Sequence, residues 1–177
     1  VGQVMSKYSI FFVLLVMILI SMLLNENFLS TRNITNIAVQ LSVATILAYG
    51  EMVLIVSGLL DLSSGAVLAL AGVLSVSGYK STGNLALAVA VSIGVAVAFN
   101  MINALFVANF AMPAFIVTLA TQMAARGLAL LYTKGQNILQ IGDYAKLGQG
   151  SIGPIPIPVI FMIAATIVIW YIMNHTK

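Results

Sequence analysis

The chain has 177 residues, of which 62% are hydrophobic and only 6% charged, with a net charge of +3 and a mean hydropathy of +1.14. Soluble domains carry about 25% charged residues, so this composition excludes an ordinary soluble fold, and the thin, scattered positive charge gives nucleic acid no footprint. With no cysteine, disulfide frameworks, thiol nucleophiles and Cys-based metal sites are excluded as well.

Residues 8–25 are uncharged and hold Phe11, Phe12, Leu14, Leu15, Ile18 and Leu23, a first membrane span. No small-residue cleavage site follows the run from Tyr8 to Leu24, which fits a span better than a signal peptide. Asn25 to Thr35 is polar and rich in capping residues, a short interfacial loop. Residues 33–50 are again uncharged, and apolar character continues past Glu51 to Val56, predicting a second span near 36–57. Residues 62–79 form a shorter window rich in Leu, Ala and Gly, the weakest candidate for a full crossing.

Between Lys80 and Arg126 lie 45 residues without a formal charge. As one helix they would extend roughly 68 Å, against a hydrocarbon core of about 30 Å, so the chain must cross, turn and cross back. The turn is placed at Asn109 to Pro113, giving spans near 85–108 and 113–132. Thr133 to Pro158 carries five glycines and Pro154, Pro156 and Pro158, which predicts ordered turns on one membrane face. A last span starts after Pro158 and ends near Met173. The expected fold is an all-α integral membrane bundle of about six hydrophobic segments in a single domain, 1–177. No repeat of 20–50 residues is visible.

Polar residues in spans are expensive and need a reason, a charge at the bilayer centre costing about 2.5–3.5 kcal/mol on insertion scales. Asp61 lies in S-G-L-L-D-L-S-S-G, residues 57–65, where Gly58, Gly65 and three serines favour a break in the helix. Asp61 or Ser63 would cap the restarted helix. One reading is a discontinuous helix beside a solute path, built from Gly58, Asp61, Ser63 and Gly65; the other is a short interfacial turn between two spans. Thr118, Gln122 and Arg126 step by four and form a polar stripe expected to face the protein interior, with Asp143 a partner for Arg126 only if the loop folds back. Arg126 lies about 20 Å beyond Pro113, so snorkelling to the far interface is the other reading. Glu51, Asn100 and Asn103 are further candidates for pathway or packing roles, the two asparagines through interhelical hydrogen bonds. Ala86, Ala90, Gly94 and Ala98 set small side chains on one ridge, a helix-packing or dimerisation face. His175 has no second ligand nearby, so no metal site is expected, and no cofactor motif occurs. The absence of a P-loop, of H-E-x-x-H and of a convincing triad argues against an enzyme. Glu51 and Asp61, ten apart across the break, make a poor aspartyl protease pair.

The string G-E-M-V-L-I-V-S-G-L-L-D-L-S-S-G-A-V-L-A-L-A-G, residues 50–72, resembles the signature of permease subunits of ribose- and galactoside-type ABC importers. P-A-F-I-V-T-L-A-T (113–121), A-R-G-L-A-L-L-Y-T-K-G (125–135) and P-I-P-I-P-V-I (154–160) resemble that family in the same order. Leu59 stands where the family usually has Gly, Ser64 where it often has Val, and Glu51 at a position more often small or uncharged.

The resemblance implies a ten-helix importer fold working as a pair, homo- or heterodimeric, in the bacterial cytoplasmic membrane. It implies two cytoplasmic ATP-binding subunits and a sugar-binding protein delivering solute from outside. This chain would be the N-terminal half to two-thirds of such a permease, with the cytoplasmic coupling loop beginning just after Lys177. Catalysis would reside in the ATP-binding partner, and this chain would carry pathway for a monosaccharide by alternating access. The implied N-in, C-in topology places Arg32, Lys80, Lys134 and Lys146 outside and Lys7 and Lys177 inside, against the positive-inside bias. A gradient-driven carrier with a broken helix, a membrane scaffold, and ABC permeases for nucleosides, amino acids or signalling molecules are the rival readings.

Overall fold

The computed structural model describes residues 2–139 and 141–175, with side chains from Ser9 onward. Lys177, the expected border of a coupling loop, lies outside the described residues, as does the side chain of Lys7.

Among the described residues seven α-helices follow in chain order: α1 (Gly2–Leu24), α2 (Thr31–Val56), α3 (Ser64–Thr82), α4 (Leu85–Asn109), α5 (Ala114–Thr133), the short α6 (Ala145–Gln149) and α7 (Ile157–His175). A 3-10 turn at Gly142–Tyr144 precedes α6, and a small antiparallel hairpin pairs β1 (Ser151–Ile152) with β2 (Ile155–Pro156) before α7. The helix ends are set by local chemistry. Ser30 Oγ accepts the Asn33 N–H to open α2 at 3.3 Å. Asn84 Oδ1 accepts the N–H groups of Ala86 and Leu87 to open α4, at 3.0 and 3.2 Å.

Among the described residues four helices are long and apolar enough to cross a membrane: α2, α4, α5 and α7. Ser9–Leu24 adds a shorter apolar helix. These helices turn most of their large apolar side chains outward, as lipid-facing spans must. α3 is not among them, although it has 19 residues. Its sequence is diluted by Gly65, Gly72, Gly78, Ser64, Ser75, Ser77 and Lys80, yet it is the most enclosed helix, burying Val67, Leu70, Ala71 and Ser75. Low hydropathy and burial have one cause: a helix surrounded by protein needs small residues for close packing, not a lipid-facing surface.

The core joins α3, α4 and α5. Val67, Leu70 and Ala125 are buried there, with Ala66, Leu74, Val95, Ala96, Phe99 and Ala129 packed around them. α2 packs instead against α7, where Tyr49 and Thr166 hydroxyls meet at 3.0 Å. The α4 ridge of Ala86, Ala90, Gly94 and Ala98 is exposed within the chain, because Ala88 and Asn103, on the opposite flank of the helix, are the positions α4 buries.

The 133–158 segment folds onto the C-terminal end of α3. Ser75 Oγ donates to the Ala88 carbonyl at 2.8 Å, so its lone pair takes the Tyr144 hydroxyl at 2.9 Å. Lys80 Nζ donates to the Leu139 carbonyl at 3.2 Å, and the rings of Tyr79 and Tyr144 lie 5.8 Å apart.

Candidate functional site at the broken helix

α2 stops because Gly58 adopts φ +76°, a left-handed conformation, at the first position beyond the C-cap Ser57. The Gly58 N–H bonds to the Ile55 carbonyl and the Leu59 N–H to the Leu54 carbonyl, both at 2.9 Å. This is a Schellman closure, which satisfies carbonyls that would otherwise be stranded in apolar surroundings. The chain then runs through Leu59 and Leu60 to Asp61, whose Oδ1 accepts the Ser63 N–H at 2.7 Å and the Ser63 Oγ–H at 2.6 Å. Asp61 thus closes the turn that restarts the helix, while Ser63 takes the N-cap position with no side-chain cap bond of its own.

The break lies inside the bundle. Ser63 Oγ, its proton given to Asp61, accepts Asn103 Nδ2 at 3.1 Å, and Asn103 Oδ1 accepts the Thr121 hydroxyl at 2.5 Å. Asn103 is six residues from the end of α4 and Thr121 seven from the start of α5. At about 1.5 Å per residue the break therefore sits roughly 10 Å in from the α4–α5 turn. Proton donation runs one way along the chain of groups, from Thr121 through Asn103 and Ser63 to the Asp61 carboxylate. Each bond polarises the next, and the Asn103 amide has a single workable orientation. No buried polar side-chain atom is without a partner among the described residues.

A second carboxylate reaches the same helix start. Glu51, on α2, accepts the hydroxyl of Ser64 at 2.9 Å through Oε1. Both acidic groups therefore stand at the N-terminus of α3, the positive end of its dipole. Ile46, Leu47, Glu51 and Leu54 of α2 face Ser64, Val67 and Leu68 of α3 and Ser92, Ile93, Ala96 and Asn100 of α4 across an open cleft of about 400 Å³. A neighbouring cavity of about 330 Å³ shares Leu54, Asp61 and Asn100 and extends to Asn103 and Thr118. Neither lining contains a basic residue.

The structure brings together Glu51, Gly58, Asp61, Ser63, Asn100, Asn103 and Thr118, and leaves Gly65, Gln122 and Arg126 apart from them. Gly65 follows in the first turn of α3 with open space beside it. Asn103 makes the interhelical bonds expected of it, whereas Asn100 donates to the Ala96 carbonyl of its own helix at 2.9 Å and lines both cavities. Thr118 is buried, Gln122 half-buried and Arg126 exposed. The stripe does not face inward as a unit, which corrects the expectation for Arg126. α5 buries Val117, Thr118, Thr121 and Ala125, and successive steps of four advance about 40° each around the helix. Arg126 has thus rotated roughly 80° from Thr118, away from the buried arc. Asp143 pairs with Lys146 at 2.9 Å, not with Arg126. Thr121 was the missed member of the inward face; one turn from Thr118 and polar in an apolar run, it carried the signal. No cluster of His, Asp or Glu able to hold a metal occurs among the described residues.

Residues 33–177 match the family described as the branched-chain amino acid transport system / permease component. The chain belongs to this family. The chain is 34% identical over 176 residues to the ribose import permease protein of Bacillus subtilis, covering 98% of this chain and 55% of that one. It is 33% identical over 181 residues to the ribose import permease protein of Haemophilus influenzae (99% and 56%). It is also 34% identical over 176 residues to the D-allose transport system permease protein of Escherichia coli (97% and 54%). The chain spans about half the length of the curated relatives it matches. No solved structure matches it. The resemblance to sugar-import permeases is borne out, and with it the reading of an all-α protein of the bacterial cytoplasmic membrane.

Proposed function

We propose that the permease forms part of the solute pathway of an ATP-driven importer and that its solute is a monosaccharide. The broken helix and its cleft carry the reading: backbone leaves helical geometry at membrane depth only where protein or a cavity replaces lipid, and here both do. The pathway residues would be Glu51, Asp61, Ser63, Asn100, Asn103 and Thr118, with Gly58 shaping the break and Gly65 in the first turn of the restarted helix. Gln122 and Arg126 lie outside the cleft lining and belong to the outer flank of α5.

The chemistry of the lining favours a neutral polyol over an amino acid. A zwitterion's carboxylate needs a cation or a free helix N-terminus. The cleft holds no basic side chain, and Asp61 and Glu51 already occupy the α3 N-terminus. Carboxylate, amide and hydroxyl groups are the usual acceptors and donors for sugar hydroxyls. The relatives named for ribose and allose agree with this choice.

The whole machine would pair two permease copies, dock ATP-binding subunits on the cytoplasmic side and receive sugar from an outer binding protein; ATP-driven closure would expose the pathway alternately. Purification of the full-length tagged protein from mild detergent, with mass spectrometry of what accompanies it, tests this. An ATP-binding subunit and a solute-binding protein whose ligand screen returns a pentose or hexose would support it; a ligand screen returning an amino acid would transfer the pathway to the rival solute class. Purification alone, even after crosslinking, would overturn the importer. Asp61→Asn separates the gradient-driven rival. Asn keeps a carbonyl oxygen for Ser63, so ATP-dependent uptake should survive, whereas an ion-coupled carrier would lose its coupling.

A further inference from the structure

The helices of the permease fall into two packed groups. α3, α4 and α5 share the buried core, while α2 makes its extensive contacts with α7. The open cleft of about 400 Å³ runs between the groups, with α2 on one wall and α3 and α4 on the other. At the end away from the break, the 133–158 segment is docked on α3 through Tyr144 on Ser75 and Leu139 on Lys80 and runs on into α7, which joins the groups there. At the break, the covalent link is residues 57–63, turned by Gly58 at φ +76°. The side-chain bond that crosses the cleft there is Ser64 Oγ–H to Glu51 Oε1, at 2.9 Å.

From this geometry we infer that the Glu51–Ser64 hydrogen bond is a latch across the cleft, holding α2 and α7 against the α3–α5 group at the end where the 57–63 turn otherwise joins them. The tied end is the fulcrum. A charge-assisted bond suits a latch, being strong enough to hold a closed arrangement yet confined to one pair of atoms, so that it releases in one step. Glu51 is also the one charged side chain within α2's apolar stretch. Its insertion cost requires a partner in either arrangement, and in the parted one water entering the cleft supplies it. The breadth of α2–α7 contact keeps each group intact as the cleft widens. For transport, the latch makes Glu51 a positioning residue of the pathway; that consequence rests on the importer reading, but the latch itself does not.

The test uses thiol labelling. The 177 residues contain no cysteine, so Ala71→Cys places a single reporter on the α3 wall of the cleft, at a position only 4% exposed while the groups are together. In the full-length protein, with any cysteine elsewhere replaced and the protein reconstituted in liposomes, labelling by a soluble maleimide is timed without solute or nucleotide. Glu51→Ala and Ser64→Ala should each speed labelling by roughly tenfold, the factor for about 1.4 kcal/mol. Glu51→Gln, which keeps an oxygen for Ser64 but not the charge, should label at a rate between the parent and Glu51→Ala. The double alanine variant should label no faster than the faster single one, because both changes remove the same bond. Unchanged labelling in Ser64→Ala, or a double variant that multiplies the two effects, would overturn the latch. Should Glu51→Ala fail to accumulate, Ser64→Ala and Glu51→Gln decide it, since both leave the apolar packing intact. Because no transport is measured, failure here leaves the importer reading standing, and failure of the importer leaves the latch standing.

Discussion

Gly58 and Gly65 look alike in the sequence, seven residues apart in one signature, but the backbone asks different things of them. Gly58 is held at φ +76°, and a Cβ built there meets nothing within 4 Å, so its requirement is conformational. A left-handed alanine costs about 1–2 kcal/mol, and Gly58→Ala should lower stability by about that amount. Gly65 is helical with the same empty surroundings, so Gly65→Ala should be neutral or raise stability by roughly 0.5 kcal/mol through helix propensity. Opposite shifts of the two unfolding midpoints in mixed micelles would confirm the distinction; equal losses would refute it. Asn103 offers a sharper case, since its amide holds Ser63 on one side and Thr121 on the other. Asn103→Ala should cost about 1–3 kcal/mol by stranding both partners. Asn103→Asp should cost more, because it sets a second carboxylate against the Ser63 oxygen that already serves Asp61. If Asp proves milder than Ala, the directed chain of donors is wrong.

At the scale of elements, what the sequence revealed depended on whether the cause was local. Spans followed from charge-free windows, and the break from Gly58, Asp61 and the serines, because helix termination is decided within a turn. The enclosure of α3 was not legible: a weak hydropathy window reads as a poor span whether the helix is short or wrapped in protein. Likewise the stripe on α5 was read as one inward row, since spacing by four hides a drift of about 40° per step. The pairing of Glu51 with Ser64 joins positions 13 apart on separate helices, which no local pattern encodes. The 133–158 segment was legible as ordered turns but not as something docked. Tyr144→Phe removes its bond to Ser75 while leaving the ring beside Tyr79, so hydrogen exchange in residues 141–150 should quicken about tenfold with the spans unchanged. The exposed pair of Asp143 and Lys146 should matter less. The hydrogen bond from Lys146 to Asp143, and then the Asp143 charge, raise the Lys146 pKa above its ordinary value. Any stabilisation is therefore fully present at neutral pH and is lost only as pH climbs through that raised value. Asp143→Asn should leave the unfolding midpoint at pH 7 unmoved, as expected for a solvent-screened pair.

For the whole molecule, orientation is where two physical arguments collide. The structure gathers Lys80, Lys134 and Lys146 at one end, because Lys80 reaches Leu139 and the loop carrying the other two is folded onto α3. The α4–α5 turn at Ala111 and Met112 lies at the opposite end, since α5 alone is 20 residues, about 30 Å, from one end to the other. The positive-inside bias would put the lysine end in the cytoplasm; the N-in, C-in topology that the sequence resemblance implies would put it on the outer face. The bias counts weakly in this chain, which has few charges to set against one another. Gln136→Cys and Met112→Cys in the full-length protein resolve it with an impermeant maleimide on intact cells. Gln136→Cys should label directly, and Met112→Cys only after the membrane is permeabilised. The reverse pattern would invert the topology while preserving the fold, and would move the docked loop to the side on which the proposed ATP-binding subunits would dock. Direct labelling of both would be more serious, because it would deny that α5 crosses the membrane and would remove the depth argument that places Asp61 and Ser63 inside the bundle.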